Sequence, residues 1–203
     1  MRIGIMGPIG SGKSTLSLTL SKKYKYKLVE EKVQDNPYLK YFYEDKKTFA
    51  LLSQNAFYSS LFLDMWETKE EEHIIYDSTI FSNLVFTELL RLEGIMNPME
   101  VALTYAIADE HLKRIPDVDI YIVLRRSKDQ LFENVRSRGR EIEADQEEYL
   151  HFHYDNYYEV TERLLKHYNV PKERIMFLDL PDDIFSEGKV DEIWSKIKAQ
   201  VRE

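Results

Sequence analysis

The segment GPIGSGKS at residues 7–14 decides the predicted fold. It fits the pattern G-x-x-x-x-G-K-[ST], and it lies between an apolar strand pattern, Arg2–Met6, and a helical pattern from Lys13 to Tyr24. In this context glycines let backbone N–H groups approach phosphate oxygens, and the helix N-terminus adds partial positive charge. The segment therefore predicts a phosphate-binding loop (P-loop) that holds a nucleoside triphosphate.

Two side chains of the loop have predicted tasks. Lys13 is expected to reach the β- and γ-phosphates, and the Ser14 hydroxyl is expected to ligate Mg²⁺. The predicted cofactors are ATP and Mg²⁺. A GTPase switch is not expected, because the guanine-specific signature N-K-x-D does not occur in the sequence. The predicted donor-binding residues are Gly7, Gly10, Ser11, Gly12, Lys13, Ser14, Thr15 and Arg136.

Beyond the loop, apolar segments alternate with helical patterns, which predicts an α/β fold of the P-loop NTPase type: a doubly wound, five-stranded parallel sheet with helices on both faces. The predicted strands are Arg2–Met6, Tyr26–Glu30, His73–Tyr76, Val118–Leu124 and Arg174–Leu178. The predicted helices are Lys13–Tyr24, one starting at Asn36-Pro37, Lys46–Glu67, Ser78–Glu93, Pro98–Lys113, Lys128 to near Gly139, Gln146–Tyr168 and Val190–Val201. No repeat or linker divides this pattern, so residues 1–203 are expected to form a single domain.

Composition narrows the class of protein. The 203 residues carry a net charge of −8 and include no cysteine, which excludes disulfides and thiolate chemistry. An acidic balance argues against nucleic acid or an anionic membrane as a partner. The N-terminal residues lack the apolar core of a signal peptide, and no apolar run approaches the about 20 residues of a membrane span. We therefore expect a soluble, cytoplasmic protein.

Asp77 directly follows the predicted strand His73–Tyr76. In a doubly wound sheet, ligand-binding groups lie at the carboxyl ends of strands, so an Asp there can hold Mg²⁺ or its water. The alternative is that Asp77 caps the following helix. The two roles are compatible, and Ser14 and Asp77 are the predicted metal ligands.

The segment Arg136-Ser137-Arg138-Gly139-Arg140 joins two predicted helices. Guanidinium groups stabilise charge on a transferring phosphoryl group, and a charged turn that contains glycine can act as a lid over ATP. Alternatively, the segment is a basic helix C-terminus that complements the helix dipole. With a P-loop in the same chain, we interpret residues 136–145 as a short arginine-rich lid.

The acceptor side is predicted from residues 30–76. No arginine occurs between Arg2 and Arg91. A nucleoside monophosphate is normally held by bidentate arginine contacts, so their absence favours a neutral hydroxyl acceptor. Lysines in the same region, at positions 32, 40, 46 and 47, leave a monophosphate acceptor open.

Two residue types in this region suit a nucleoside. Gln54 shares a helical stripe with Leu51, Tyr58 and Leu61, where its amide can read a base edge; the alternative is an ordinary half-buried glutamine. Glu30 and Glu31 follow the second predicted strand, and a carboxylate there can accept the proton of the acceptor hydroxyl. Strand alternation allows only one of the pair to face the cleft.

With these motifs the chain resembles the deoxynucleoside kinase family, especially its bacterial deoxyadenosine/deoxyguanosine branch. The resemblance covers nearly the whole chain. It rests on GPIGSGKS at 7–14, EEKVQDNPYL at 30–39, FYED at 42–45, Gln54 after FALLS, Asp77 after HIIY, DIYIVLR at 119–125 and RSRGREIE at 136–143. It implies an ATP-dependent 5′-phosphorylation of a purine deoxynucleoside in nucleotide salvage, by a homodimer built through helix packing.

The resemblance also implies residue roles. It aligns Glu31 with the family's general base, and Tyr43 and Glu143 with the pair that holds the deoxyribose 3′-hydroxyl. Gln54 matches the base-reading glutamine, and Asp77 matches the carboxylate of the D/E-R-S motif, which implies contact with the substrate. The lid arginines correspond to Arg136, Arg138 and Arg140.

The chain departs from the family pattern at three positions. Ser78 occupies the position of the D-R-S arginine, Leu61 that of a second arginine, and Lys32 that of a small residue or proline. Removing two guanidinium groups lowers transition-state stabilisation. These departures leave open a weak kinase, a kinase with a shifted acceptor, or a nucleotide-binding relative without activity. A nucleoside monophosphate kinase is a separate alternative, and the arginine-free acceptor segment counts against it.

Overall fold

The computed structural model describes residues 1–139, 146–180 and 188–202. Five strands form one parallel sheet in the order β2-β3-β1-β4-β5, which confirms the predicted doubly wound α/β fold. The strands are β1 Arg2–Met6, β2 Lys27–Val29, β3 Ile74–Tyr76, β4 Ile120–Arg125 and β5 Ile175–Asp179. The strand that leads into the P-loop is therefore central, with β3 on one side and β4 on the other.

Eight α-helices accompany the sheet in the described part of the chain. They are α1 Lys13–Tyr24, α2 Leu39–Glu44, α3 Lys46–Glu67, α4 Ile80–Leu92, α5 Pro98–Leu112, α6 Lys128–Arg138, α7 Glu147–His167 and α8 Lys189–Arg202. All the predicted helices are present, and most bounds agree within two residues. Helices α2 and α4 begin downstream of their predicted first residues, and each difference has its own physical reason.

The predicted helix start at Asn36-Pro37 is wrong. The chain makes a short 3-10 turn at Val33–Asp35, and α2 begins only at Leu39. The reason is a tertiary contact: the Asn36 side chain is buried and its amide nitrogen donates to the carbonyl oxygen of Ser53 on α3, at 3.0 Å. Asn36 thus ties the loop to α3, although its Oδ1 also accepts from the N–H of Tyr38.

Helix α4 begins at Ile80 rather than at Ser78. Thr79 is the N-cap, and its hydroxyl and that of Ser82 form a reciprocal capping box. Asp77 is therefore not the cap of α4, and the capping alternative for this residue is wrong. The chain bends at Asp77 and Ser78 before α4 begins, so Asp77 lies at the end of β3.

Two apolar layers cover the sheet. On one face, Ile3, Ile5 and Ile75 pack with residues of α1 and α8; on the other, Met6, Ile74 and Tyr76 pack with α3, α4 and α7. The alternation along β1 and β3 follows from the two-residue period of a strand. A third apolar cluster joins α2, α6 and α7 beside the P-loop. The carboxyl ends of all strands therefore meet at one edge, framed by helices.

No helix in the described ranges is both long enough and apolar enough to span a bilayer.

Candidate active site

The P-loop connects β1 to α1 beside a cavity of about 500 Å³. The side chain of Lys13 lies along the loop, where its Nζ donates to the carbonyl oxygens of Gly7 at 2.9 Å and Pro8 at 3.3 Å. The cavity is lined by Gly10, Ser11, Gly12, Lys13, Ser14, Thr15, Glu31, Val33, Arg126, Asn134, Ser137, Arg138 and Leu180. All the predicted loop residues except Gly7 therefore face this donor cavity.

The loop geometry requires glycine at two positions. Gly10 and Gly12 have φ values of 83° and 91°, in the left-handed region that other residues adopt at a cost. A Cβ atom at Gly10 would also lie 2.6 Å from the carbonyl oxygen of Leu131. The two glycines of the motif are therefore required by the backbone conformation of the loop, in addition to the room that they leave for a phosphate.

Two side chains outside the motif hold the loop. The N–H of Gly7 donates to the hydroxyl of Tyr157 on α7 at 2.9 Å, and Asn134 on α6 donates to the carbonyl oxygen of Gly10 at 2.8 Å. Burial raises the pKa of Tyr157, so its hydroxyl stays neutral. These contacts hold the start and the middle of the loop to helices that are distant in sequence. Both were missed from the sequence, where Tyr157 matches an ordinary core position and Asn134 an ordinary helix position.

Asp77 lies beneath the loop, where its side chain is buried. The hydroxyl of Ser14 donates to Oδ2 of Asp77 at 2.7 Å, and the hydroxyl of Ser17 donates to Oδ1 at 3.0 Å. Hydroxyl and carboxylate oxygens are the ligands that Mg²⁺ prefers, so this pair fits the ion. Asp77 is not among the residues that line the acceptor cavity described next, and its contact with the substrate, which the resemblance implied, stays a prediction.

A second, smaller cavity adjoins the first. It is lined by Ile9, Lys13, Glu31, Val33, Leu39, Phe42, Tyr43, Ser53, Gln54, Phe57, Asn83, Phe86, Arg138 and Tyr149. Lys13, Glu31 and Arg138 line both cavities. The structure also distinguishes the two glutamates, because Glu31 is partly buried at this junction while Glu30 is exposed. We call the smaller space the acceptor cavity.

Gln54 lies in the wall of the acceptor cavity and is nearly fully buried. Its Oε1 accepts from the hydroxyl of Thr87 at 3.3 Å, and its backbone carbonyl accepts from Asn83 at 3.1 Å. The Oε1 contact orients the amide, and the NH₂ group is left as a donor for a ligand. Tyr58 and Leu61, its apolar neighbours on the predicted stripe, are core residues.

The two described arginines of the predicted lid, Arg136 and Arg138, lie in different surroundings. Arg138 lines both cavities, whereas the Arg136 side chain is 74% exposed and lies 3.9 Å from Glu147. Residues two apart on a helix point in different directions, and this explains the difference. The prediction of Arg136 as a donor-binding residue therefore finds no support in the geometry. Arg140 and Glu143 lie outside the described residues.

Arg126 was missed from the sequence. It directly follows β4, and its Nε donates to the carbonyl oxygen of Ser11 at 3.4 Å in the donor cavity. The signal was present, because residues at the carboxyl ends of strands in such sheets form the ligand site. The rule predicted Asp77, which directly follows β3, but it was not applied to Arg126, which directly follows β4.

The departures from the family pattern have different surroundings. Ser78 and Leu61 are buried, and neither lines the donor or the acceptor cavity. Leu61 packs in the core between α3 and the sheet. Lys32 forms an ion pair with Asp64 on α3. The positions of the two replaced arginines are thus filled by small or apolar groups within the fold.

A glycine-rich loop of this form, at the centre of a parallel sheet with this strand order, is the architecture of the P-loop phosphotransferases. The comparisons with known proteins narrow the class. The chain belongs to the deoxynucleoside kinase family, since the family model described as deoxynucleoside kinase matches residues 3–202.

Curated relatives are similar to this chain over nearly its whole length. A deoxyguanosine kinase from Lactobacillus johnsonii is 29% identical, with 99% of this chain and 92% of the relative covered. A deoxyguanosine kinase from Bacillus subtilis is 27% identical, with 99% and 96% covered. A solved deoxyadenosine kinase from M. mycoides with bound dATP has a TM-score of 0.82 at 26% identity, with 98% of this chain and 100% of that chain covered. The protein is therefore a nucleoside-phosphorylating kinase.

Proposed function

We propose that the protein transfers the γ-phosphoryl group of ATP to the 5′-hydroxyl of a purine deoxynucleoside, deoxyadenosine or deoxyguanosine, in nucleotide salvage. The observation that carries the proposal is the junction of the two cavities, which Lys13, Glu31 and Arg138 share. A triphosphate on the P-loop and a nucleoside in the acceptor cavity would meet at these three residues. The names of the relatives, several of them deoxyguanosine or deoxyadenosine kinases, support a purine.

The proposed reaction is an in-line displacement. Glu31 accepts the proton of the 5′-hydroxyl, whose oxygen forms a bond to the γ-phosphorus while the bond to the β,γ-bridging oxygen breaks and ADP leaves. Lys13 and Arg138 stabilise the charge on the transferring group. Arg140, within the proposed lid 136–145, is proposed to supply a further guanidinium to the transferring group.

Ser14 and Asp77 are the residues that would hold Mg²⁺, and the ion would supply charge neutralisation at the donor phosphates. Their 2.7 Å hydrogen bond brings a hydroxyl and a carboxylate oxygen together beneath the phosphate position. Ser17, on the next turn of α1, holds the other carboxylate oxygen of Asp77. This pair thus orients the metal ligands before any nucleotide binds.

Gln54 and Tyr43 are the proposed acceptor-binding residues, with Glu143 as partner of Tyr43 at the sugar. Every charged side chain that lines the acceptor cavity in the described residues also lines the donor cavity. The far end of the acceptor cavity therefore offers no charge to a monophosphate, and this supports a neutral nucleoside over a nucleoside monophosphate.

The test is an acceptor panel with γ-labelled ATP and Mg²⁺. We expect label on the 5′-oxygen of deoxyadenosine or deoxyguanosine, slower transfer to pyrimidine deoxynucleosides, and none to the corresponding monophosphates. Transfer to monophosphates alone would instead identify a nucleoside monophosphate kinase.

We predict that Arg126→Ala raises the KM for ATP by roughly tenfold with a smaller effect on the nucleoside KM. The γ-phosphate must face Glu31 on the β2–β3 side of the P-loop, so the rest of ATP extends toward β4 and β5, where Arg126 and Leu180 line the cavity. Steady-state kinetics in both substrates measures the change. Lys128→Ala is the matched control, since Lys128 pairs with Asp155 near the same strand end and should leave both KM values unchanged.

We also propose that residues 1–203 fold as one domain and that two copies form a homodimer through α3 and α5. These helices pack against each other and expose large apolar side chains. Met99, Leu103 and Ile107 recur every four residues on α5, with Met99 68% exposed and Leu103 48% exposed, and Leu63 and Trp66 are exposed on α3. Such a patch on a soluble protein is typical of an interface.

We predict that Leu103→Glu converts a dimer into a monomer, because a charge would be buried at the centre of the patch. Light scattering after size exclusion measures the mass. Val201→Glu, at an exposed position near the end of α8, is the control that should leave the mass unchanged. A monomeric wild-type protein at micromolar concentration would contradict the dimer.

A further inference from the structure

The segment that carries Glu31 is attached to α3 at two points. Lys32 Nζ donates to Oδ1 of Asp64 at 2.5 Å, and Asn36 Nδ2 donates to the carbonyl and hydroxyl oxygens of Ser53 at 3.0 and 3.1 Å. Around these points the backbone is folded on itself, with the N–H of Val33 donating to the carbonyl oxygen of Glu31 and the N–H of Asp35 donating to that of Lys32. The segment therefore follows any movement of α3.

The Lys32–Asp64 pair differs from an ordinary surface ion pair. The Asp64 side chain is only 8% exposed, while that of Lys32 is 47% exposed. The hydrogen bond to Asp64 raises the pKa of Lys32, so its ammonium stays charged in the working pH range. A buried carboxylate without a cation is strongly unfavourable, so Asp64 holds Lys32 in place.

The exposed pair Lys27–Glu71 provides a contrast at the same sheet edge. It joins β2 to the segment before β3, and both side chains are about half exposed. Pairs of that kind contribute little and leave their partners free to exchange with water. Of these two pairs, the Lys32 pair alone has a buried partner that constrains its geometry.

We propose that the Lys32–Asp64 pair is a positioning device that sets Glu31 relative to the acceptor wall. Lys32 is the residue next to Glu31, and Asp64 lies on the same helix as Gln54, which lines the acceptor cavity. The pair thus couples the base to the wall that holds the nucleoside. This inference rests on the proposed role of Glu31 in the kinase reaction.

The test compares kcat in single and double variants. Lys32→Met and Asp64→Asn should each lower kcat for the nucleoside by roughly tenfold, since small displacements of a reacting group are costly, and the KM for ATP should stay within about twofold. The double variant should lose no more than either single variant, because both remove one interaction. Lys32→Arg should restore most of the activity, and Lys27→Met is the matched control that should match wild type.

Repeating the Lys32→Met substitution in a second protein, the Glu31→Gln variant, distinguishes the positioning role from a purely structural one. In Glu31→Gln protein, where no base remains to be positioned, adding Lys32→Met should leave the residual kcat unchanged. A loss of folded enzyme would instead lower kcat by the same factor in both backgrounds, and that result would overturn the positioning role. Wild-type kcat equal to that of Lys32→Met would overturn it too, whereas an inactive wild type would refute the proposed function itself.

Discussion

Glu31→Gln should lower kcat for nucleoside phosphorylation by roughly 10²–10⁴-fold, the range typical of removing a general base. The carboxylate lines both cavities, while the amide is isosteric and accepts no proton. Because the P-loop contacts are untouched, the affinity for Mg-ATP should change by less than about twofold. Single-turnover transfer of labelled phosphate and calorimetric titration of ATP measure the two quantities separately.

Glu30→Gln is the matched control for this experiment. Glu30 precedes Glu31 directly, carries the same charge and is exposed outside both cavities. Its variant should keep the wild-type kcat. Equal loss in both variants would indicate a general electrostatic effect, and full activity in Glu31→Gln would show that the base lies elsewhere.

Lys13→Met should lower kcat/KM for ATP by roughly 10²–10³-fold, the range for removing one preorganised group that stabilises transition-state charge. The Lys13 ammonium is already held along the loop by the carbonyl oxygens of Gly7 and Pro8, so it reaches a phosphate without a large rearrangement. Methionine keeps the aliphatic chain and removes the charge. Initial rates at varied ATP measure the loss.

Lys22→Met is the control for the lysine variant, since Lys22 is an exposed residue on the last turn of the same helix. The control should retain wild-type kinetics, and both variants should unfold at temperatures close to that of wild type. Unchanged kcat/KM for ATP in Lys13→Met would show that Lys13 of the P-loop does not act on the donor phosphates. That result would contradict the proposed mechanism.

The fold could be predicted from the sequence because its signals are local. The P-loop motif and the two-residue alternation of strands mark the sheet, and Asn97-Pro98 marks the start of α5, where a capping box forms. The start of α2 could not be predicted, because Asn36 binds Ser53 seventeen residues away instead of capping a helix. Long-range hydrogen bonds leave no periodic pattern in the sequence.

The candidate site was predictable to a similar degree. Lys13, Glu31, Gln54, Tyr43 and Arg138 meet around the two cavities as their motifs indicated. Arg136 does not join them, because a motif fixes residue types but not the direction in which a helix presents each one. Tyr157 and Asn134 required the tertiary structure, since each reaches the loop from an element more than 100 residues away. Arg126 could have been found from its position directly after the predicted strand at Val118–Leu124 and its continuation.

The two replaced arginines bear on the strength of catalysis. Ser78 and Leu61 offer no charge at the cavities, whereas Arg126 and Arg138 place guanidinium groups in the donor cavity. We therefore expect the cationic environment of the phosphates to come from the β4 end and from α6. This arrangement depends on the donor lying in that cavity.

The most direct test of the account is calorimetric titration of Mg-ATP into the wild-type protein and into Lys13→Met. The account predicts one binding site per chain in the wild type and a large loss of affinity in the variant, because residues 7–14 hold the donor phosphates. Absence of binding heat in the wild type at several temperatures, or equal affinity in both proteins, would contradict it.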